Sequence, residues 1–138
     1  MKQKFKGVCF ILFALLPYVI NAQTPEGTWQ QVSSKQFLTE AGIKSYGRSF
    51  LESPTVNGSV IYTYRPDHTY QISSKSISNP TPRLFVGIWS LTGDQLTMTS
   101  NGKSVVSKIA IQTNILTLDT AYPNSDMTTN VIVTFKKI

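Results

Sequence analysis

Two Gly-x-Trp triplets, Gly27-Thr28-Trp29 and Gly87-Ile88-Trp89, punctuate a long series of short alternating segments. Residues two apart on a strand share a face, so each glycine lies on the same side as its indole. The missing side chain lets a backbone or ring approach closely, while the indole is large enough to fill the end of a barrel. This repeated pairing points to a closed sheet plugged by its own aromatic residues.

The rest of the chain supplies the staves. Strand signals cover residues 27–33, 59–65, 69–75, 84–91, 95–100, 104–112, 115–120 and 128–136. In the second, Val60, Tyr62 and Tyr64 alternate with Ile61, Thr63 and Arg65; in the last, Val131, Val133 and Phe135 recur at every other position. Turn chemistry separates the segments: Pro66-Asp67-His68, Asn79-Pro80-Thr81-Pro82, Thr92-Gly93-Asp94, Asn101-Gly102 and Thr113-Asn114. Connections this short join antiparallel neighbours, and eight such strands can close on themselves and remove the exposed edges. A sandwich needs Greek-key crossovers, and only the stretch 35–57 is long enough to supply one. The expected fold is therefore all-β, an eight-stranded antiparallel up-and-down β-barrel. Within 35–57, the placement of Phe37, Leu38, Ala41 and Ile43 predicts either a short helix or a lid loop after the first strand.

Residues 1–22 carry the features of a secretory signal: Lys2, Lys4 and Lys6, an apolar stretch from Val8 to Leu16, and the small Ala22 before a cleavage point. The apolar stretch is shorter than the roughly 20 residues a membrane span needs. Cys9, the sole cysteine, lies at the front of that stretch and not after it, unlike an acylated lipoprotein cysteine. The expected product is an exported domain, 23–138, periplasmic or extracellular, not inserted in a membrane and without disulfides. Three of the 13 basic residues belong to the leader, so ten face seven acidic ones in the domain, a net +3. These charges are scattered, apart from Lys136-Lys137, and form no nucleic-acid footprint. Oligomeric state is left open.

Catalytic and metal chemistry find little to work with. His68 is the only histidine, and its neighbour Asp67 shares a tight turn in which adjacent side chains diverge. No nucleophile elbow, zinc ligand set, calcium loop or phosphate-cradling glycine loop is present in the sequence. No enzyme activity, metal or cofactor is expected. The aromatic residues are more informative. Tyr62, Tyr64, Tyr70 and Trp89 lie on neighbouring strands of the meander and are candidates to line a ligand cavity, the alternative for each being core filling. Arg48, Arg65, Arg83 and Lys108 are candidates to anchor an acidic head group, against the plainer reading of solvated surface positions.

The residues also resemble a known group, the small secreted bacterial lipocalin-like domains related to lipocalins and fatty-acid-binding proteins. The resemblance rests on Gly27-Thr28-Trp29, on the segment from Tyr62 through Asp67 to Tyr70, and on the segment from Gly87-Ile88-Trp89 to Met98. Leu116-Thr117-Leu118 and the closing Phe135-Lys136-Lys137 complete it, so that it spans nearly all of 23–138. Where many relatives have Asp-Gly in the aromatic hairpin, this chain has Asp67-His68. The resemblance implies a calycin-type barrel whose cavity binds a small hydrophobic ligand. It assigns Gly27, Trp29 and Lys136 to barrel closure, with one lysine stem of the Lys136-Lys137 pair covering the indole. The alternative is a filled barrel that presents a partner surface on loops such as 35–57 and 77–83.

Overall fold

A computed structural model of the chain describes residues 23–40, 43–49, 59–123 and 127–138. The signal-peptide reading of residues 1–22 lies outside the described residues. Among the described residues nine strands follow one another: β1 (Gly27–Glu40), β2 (Ile43–Ser49), β3 (Ser59–Tyr64), β4 (Thr69–Lys75), β5 (Arg83–Thr92), β6 (Gln95–Ser100), β7 (Lys103–Gln112), β8 (Ile115–Pro123) and β9 (Met127–Lys137). From β3 to β9 each strand pairs antiparallel with the next, and β1 joins β3 to β9. Eight strands thus close an up-and-down barrel, with β2 folded back along the far half of β1. The architecture is compatible with a lipocalin-like fold.

The stretch after the first strand differs from expectation. No helix occurs among the described residues. Phe37 and Leu38 belong to β1, which continues to Glu40, and Ile43 opens β2; Ala41 and the segment 50–58 lie outside the described residues. The sequence 35–40 has no clean alternation of its own. It becomes a strand because β9 pairs with it residue for residue, from Lys35 opposite Ile132 to Glu40 opposite Met127. A local pattern cannot announce a strand whose hydrogen bonds come from a partner about ninety residues away. A register shift between Gln31 and Ser33 marks a bulge. There β1 leaves β3, to which only Gly27–Gln30 are bonded, and continues along β9 alone until β2 joins it.

The tight turns use the backbone conformations their residues permit. Asn101 (φ 50°) and Gly102 (φ 72°) are both left-handed, as a two-residue hairpin of Asn-Gly type requires. Gly93 (φ 60°) opens the β5–β6 turn. Main-chain bonds then tie each turn to the next hairpin around one end of the barrel: Trp89 N to His68 O, Ile109 N to Asp94 O, Lys137 N to Asn114 O and Ile138 N to Thr28 O. This is the closed end.

Its filling is aromatic. Trp29, Tyr64, Tyr70, Trp89, Leu96, Ile109, Leu116, Leu118 and Phe135 form one buried cluster. The Trp29 indole N–H donates to Pro25 O at 2.7 Å, and Lys137 Nζ stands 5.3 Å from the ring centroid. Trp29 pairs with Lys137, so barrel closure brings the two ends of the domain together. The cation over the indole is Lys137; Lys136 pairs with Gln30 one position further along and is exposed. Each triplet glycine has its own neighbour. A side chain at Gly27 would meet the Lys137 stem at 3.0 Å, and one at Gly87 would collide with the Thr99 carbonyl and lie 2.7 Å from the Tyr70 ring.

Candidate ligand cavity at the open end

Above the aromatic plug the barrel is not filled. A partly enclosed cavity of about 300 Å³ opens between β3, β4, β6, β7, β8 and β9. Period-two alternation places its lining: on β7, Lys103, Val105 and Ser107 share the face of buried Ile109; on β8, Leu118, Thr120 and Tyr122 share that of Leu116. Phe135 forms part of the floor, with its ring centroid 4.7 Å from that of Tyr62. Ile72, Met98, Val131 and Val133 add apolar wall.

The polar atoms on this wall are mostly hydroxyls, from Tyr62, Tyr70, Ser100, Ser107, Thr120 and Tyr122. Ser107 and Thr120 bond each other at 2.6 Å in the buried zone, which satisfies one partner each and leaves lone pairs available. Burial pushes the Tyr62 phenol up to about 12, with the nearby Tyr122 and Tyr70 hydroxyls adding to the rise. It stays protonated and able to donate a hydrogen bond at any physiological pH. Lys103, beside the Asn-Gly turn, is the one charged residue among the described residues that line the cavity.

Tyr62 and Tyr70 therefore line the cavity, whereas Tyr64 and Trp89 do not. Both have their polar atoms already engaged: Tyr64 O–H donates to Met98 Sδ at 3.3 Å and the Trp89 N–H donates to Arg65 O at 3.1 Å. The two rings meet edge to face at 6.1 Å. Burial, with Tyr62 and Tyr70 nearby, also raises the Tyr64 phenol well above its ordinary range. Of the residues first considered as anchors, Arg65, Arg83 and Lys108 do not line the cavity. Lys108 is exposed on the outer wall, 3.5 Å from Asp94; Arg65 donates to Gln71 near the closed end; Arg83 stands exposed where β5 begins. The Arg48 side chain lies outside the described residues. Lys103 escaped notice because the strand pattern is apolar only from Val105 onward. Counting back from Ile109 by twos reaches it.

No protein-family model matches the chain, and no curated protein matches it. Geometry alone must therefore speak for the site.

Asp67 and His68 do not form a dyad. The Asp67 carboxylate accepts the Thr69 hydroxyl at 2.6 Å and the Thr69 amide at 3.0 Å, which together hold its carboxyl below the ordinary range. His68 turns away. Its Nδ1 lies 3.2 Å from Trp89 O and its ring 4.6 Å from the Trp89 ring. With φ 64°, His68 occupies the left-handed position that glycine takes in such three-residue connections, and stacking on the indole offsets part of that strain. The departure from Asp-Gly thus has a structural account at the closed end, away from the cavity.

Proposed function

We propose that this chain is an exported, non-catalytic lipocalin-like barrel that holds a small hydrophobic or amphipathic molecule in its open-end cavity. The observation that carries this reading is the cavity itself: about 300 Å³ of unfilled space, apolar on one part of its wall and hydroxyl-rich on the other. That volume is at the lower bound of the usual ligand range of roughly 300–1,000 Å³, and at ~30 Å³ per water it corresponds to about ten non-hydrogen atoms. An interior filled like the closed end would have favoured the alternative, a barrel serving only as a scaffold. The apolar part of a ligand fits against Phe135, Leu118 and Val133, and its polar part against Tyr62, Tyr70, Tyr122 and Lys103.

Native mass spectrometry of the protein purified from its host tests this. The expected spectrum contains a second species heavier by one small molecule, which is released on mild activation. Val105→Trp, which fills the cavity from a half-exposed wall position, is expected to remove that species while leaving the circular dichroism unchanged. A wild-type protein that carries no small molecule, and that also excludes apolar fluorescent probes in titration, overturns the proposal.

A further inference from the structure

Beside the cavity mouth lies a run of exposed apolar side chains, continued down the outer wall of β5 by Ile88, which is 60% exposed. Ile77, Leu84, Phe85 and Val86 are 69%, 59%, 54% and 62% exposed. The cause is a mismatch in strand length. β5 begins at Arg83, but its first partner on β6 is Thr99, opposite Ile88. The opening residues of β5 therefore outrun β6 and are laddered to β4 alone, with only the Ser100 hydroxyl reaching across to Val86 O at 2.8 Å. Phe85 has the inward parity of Gly87 and Trp89, yet no strand end stands beside it on the β6 side.

Among the described residues, the charge flanking the β4–β5 part of this rim is of one sign. Lys75 ends β4, Arg83 opens β5 and Lys103 opens β7, and all three are exposed. Of the acidic side chains described, Glu26, Asp67 and Asp94 are at the closed end, and Asp119 lies on the outer wall opposite Ile132. Glu40 ends β1, where it pairs with Met127 of β9, and β3 stands between β1 and the β4–β5 hairpin.

We infer that the β4–β5 rim is a docking surface for an anionic lipid bilayer. Exposed apolar patches on soluble domains mark interaction sites, and apolar tips flanked by cations are the pattern that anionic lipid surfaces recognise. The strand geometry selects lipid over a folded partner. Leu84, Phe85 and Val86 are consecutive, so they point to opposite faces of the projecting strand. A rigid protein surface would cover one of those faces; a fluid interface buries both. Docking here sets the cavity mouth, with Lys103 and Ser100 on its edge, against the membrane from which an amphipathic ligand would come. The contact is peripheral and needs no membrane span.

The test is co-sedimentation of the purified protein with phosphatidylcholine vesicles, with and without phosphatidylglycerol. Binding is expected to be at least about tenfold stronger to the anionic vesicles and to weaken as salt is raised. L84S/F85S is expected to lower it by about tenfold or more, while Lys136→Glu at the closed end changes it far less. Both double-variant positions are exposed, so an unchanged denaturant midpoint verifies that the variant is folded. Val105→Trp is expected to keep vesicle binding, which separates this inference from the ligand proposal. Equal binding to both vesicle types, or wild-type binding by L84S/F85S, overturns it. So does concentration-dependent self-association that L84S/F85S abolishes in the absence of vesicle binding, which would assign the patch to a second copy of the chain.

Discussion

Trp29 shows how much one side chain decides. Its ring is fully buried, its N–H is satisfied by Pro25 O, and Lys137 Nζ stands over its face at 5.3 Å from the centroid. Truncation removes the plug and leaves a cavity between the first and last strands, so Trp29→Ala is expected to cost about 3–5 kcal/mol, read from the shift in denaturant midpoint. Trp29→Phe keeps a ring but loses the hydrogen bond and part of the volume, and is expected to cost distinctly less. An unshifted midpoint for Trp29→Ala would deny the indole its role. Lys137 contributes a smaller amount, of order 0.5–1 kcal/mol, because its head remains in water.

At the scale of the element, some turns carry residues that suit the backbone, while the turns at His68 and Thr113 do not. Asn101-Gly102 and Gly93 place permissive residues where φ is positive. The β7–β8 turn instead puts Thr113 at φ 54°, a conformation that β-branched side chains resist. Thr113 is exposed. Thr113→Gly relieves the strain at the expense of some unfolded-chain entropy, and a net stabilisation of about 1 kcal/mol is expected by chemical denaturation. A loss of stability would mean that the strain is smaller than the left-handed angle implies. The same scale holds the correction to β1. A period-two reading finds strands that carry their own pattern, such as β8 and β9, and misses 35–40 and 43–49, whose extended form is imposed by pairing.

For the molecule as a whole, the buried tyrosines couple folding to pH. Tyr62 is pushed from its ordinary 10.0 to about 12, chiefly by burial. Between those values the unfolded chain loses its phenolic proton while the folded barrel retains it, so stability is complete below pH 10 and declines as pH rises towards 12. Over that window the loss is on the order of 2–3 kcal/mol for Tyr62, and Tyr64 acts in the same direction. Denaturant midpoints measured from neutral to strongly alkaline pH are expected to fall in this range, and Tyr62→Phe to flatten the decline. A wild-type midpoint constant up to pH 12 would indicate that the cavity is wet enough to solvate the phenolate.

The sequence alone determined the strands with their own alternation, the tight turns, the closed antiparallel barrel and the plug at its end. Each follows from a local rule: side chains alternate at period two, Asn-Gly turns tightly, and a barrel must pair its first strand with its last, which brings Trp29 to the final lysines. The tertiary structure decided what those rules cannot reach. Tyr62 and Tyr70 line the cavity while Tyr64 and Trp89 do not: Trp89 stands two residues nearer the closed end than Gly87, the partner of Tyr70, and Tyr64, which pairs with Tyr70 directly, has its ring tilted away and its hydroxyl held by Met98 Sδ. Parity alone separates Lys103 from Lys108; what the structure added is that β7 begins at Lys103, early enough to carry its inner face up to the mouth. The start of β5 stands exposed because β6 is too short to cover it, a comparison of lengths that exists only once the two strands are paired.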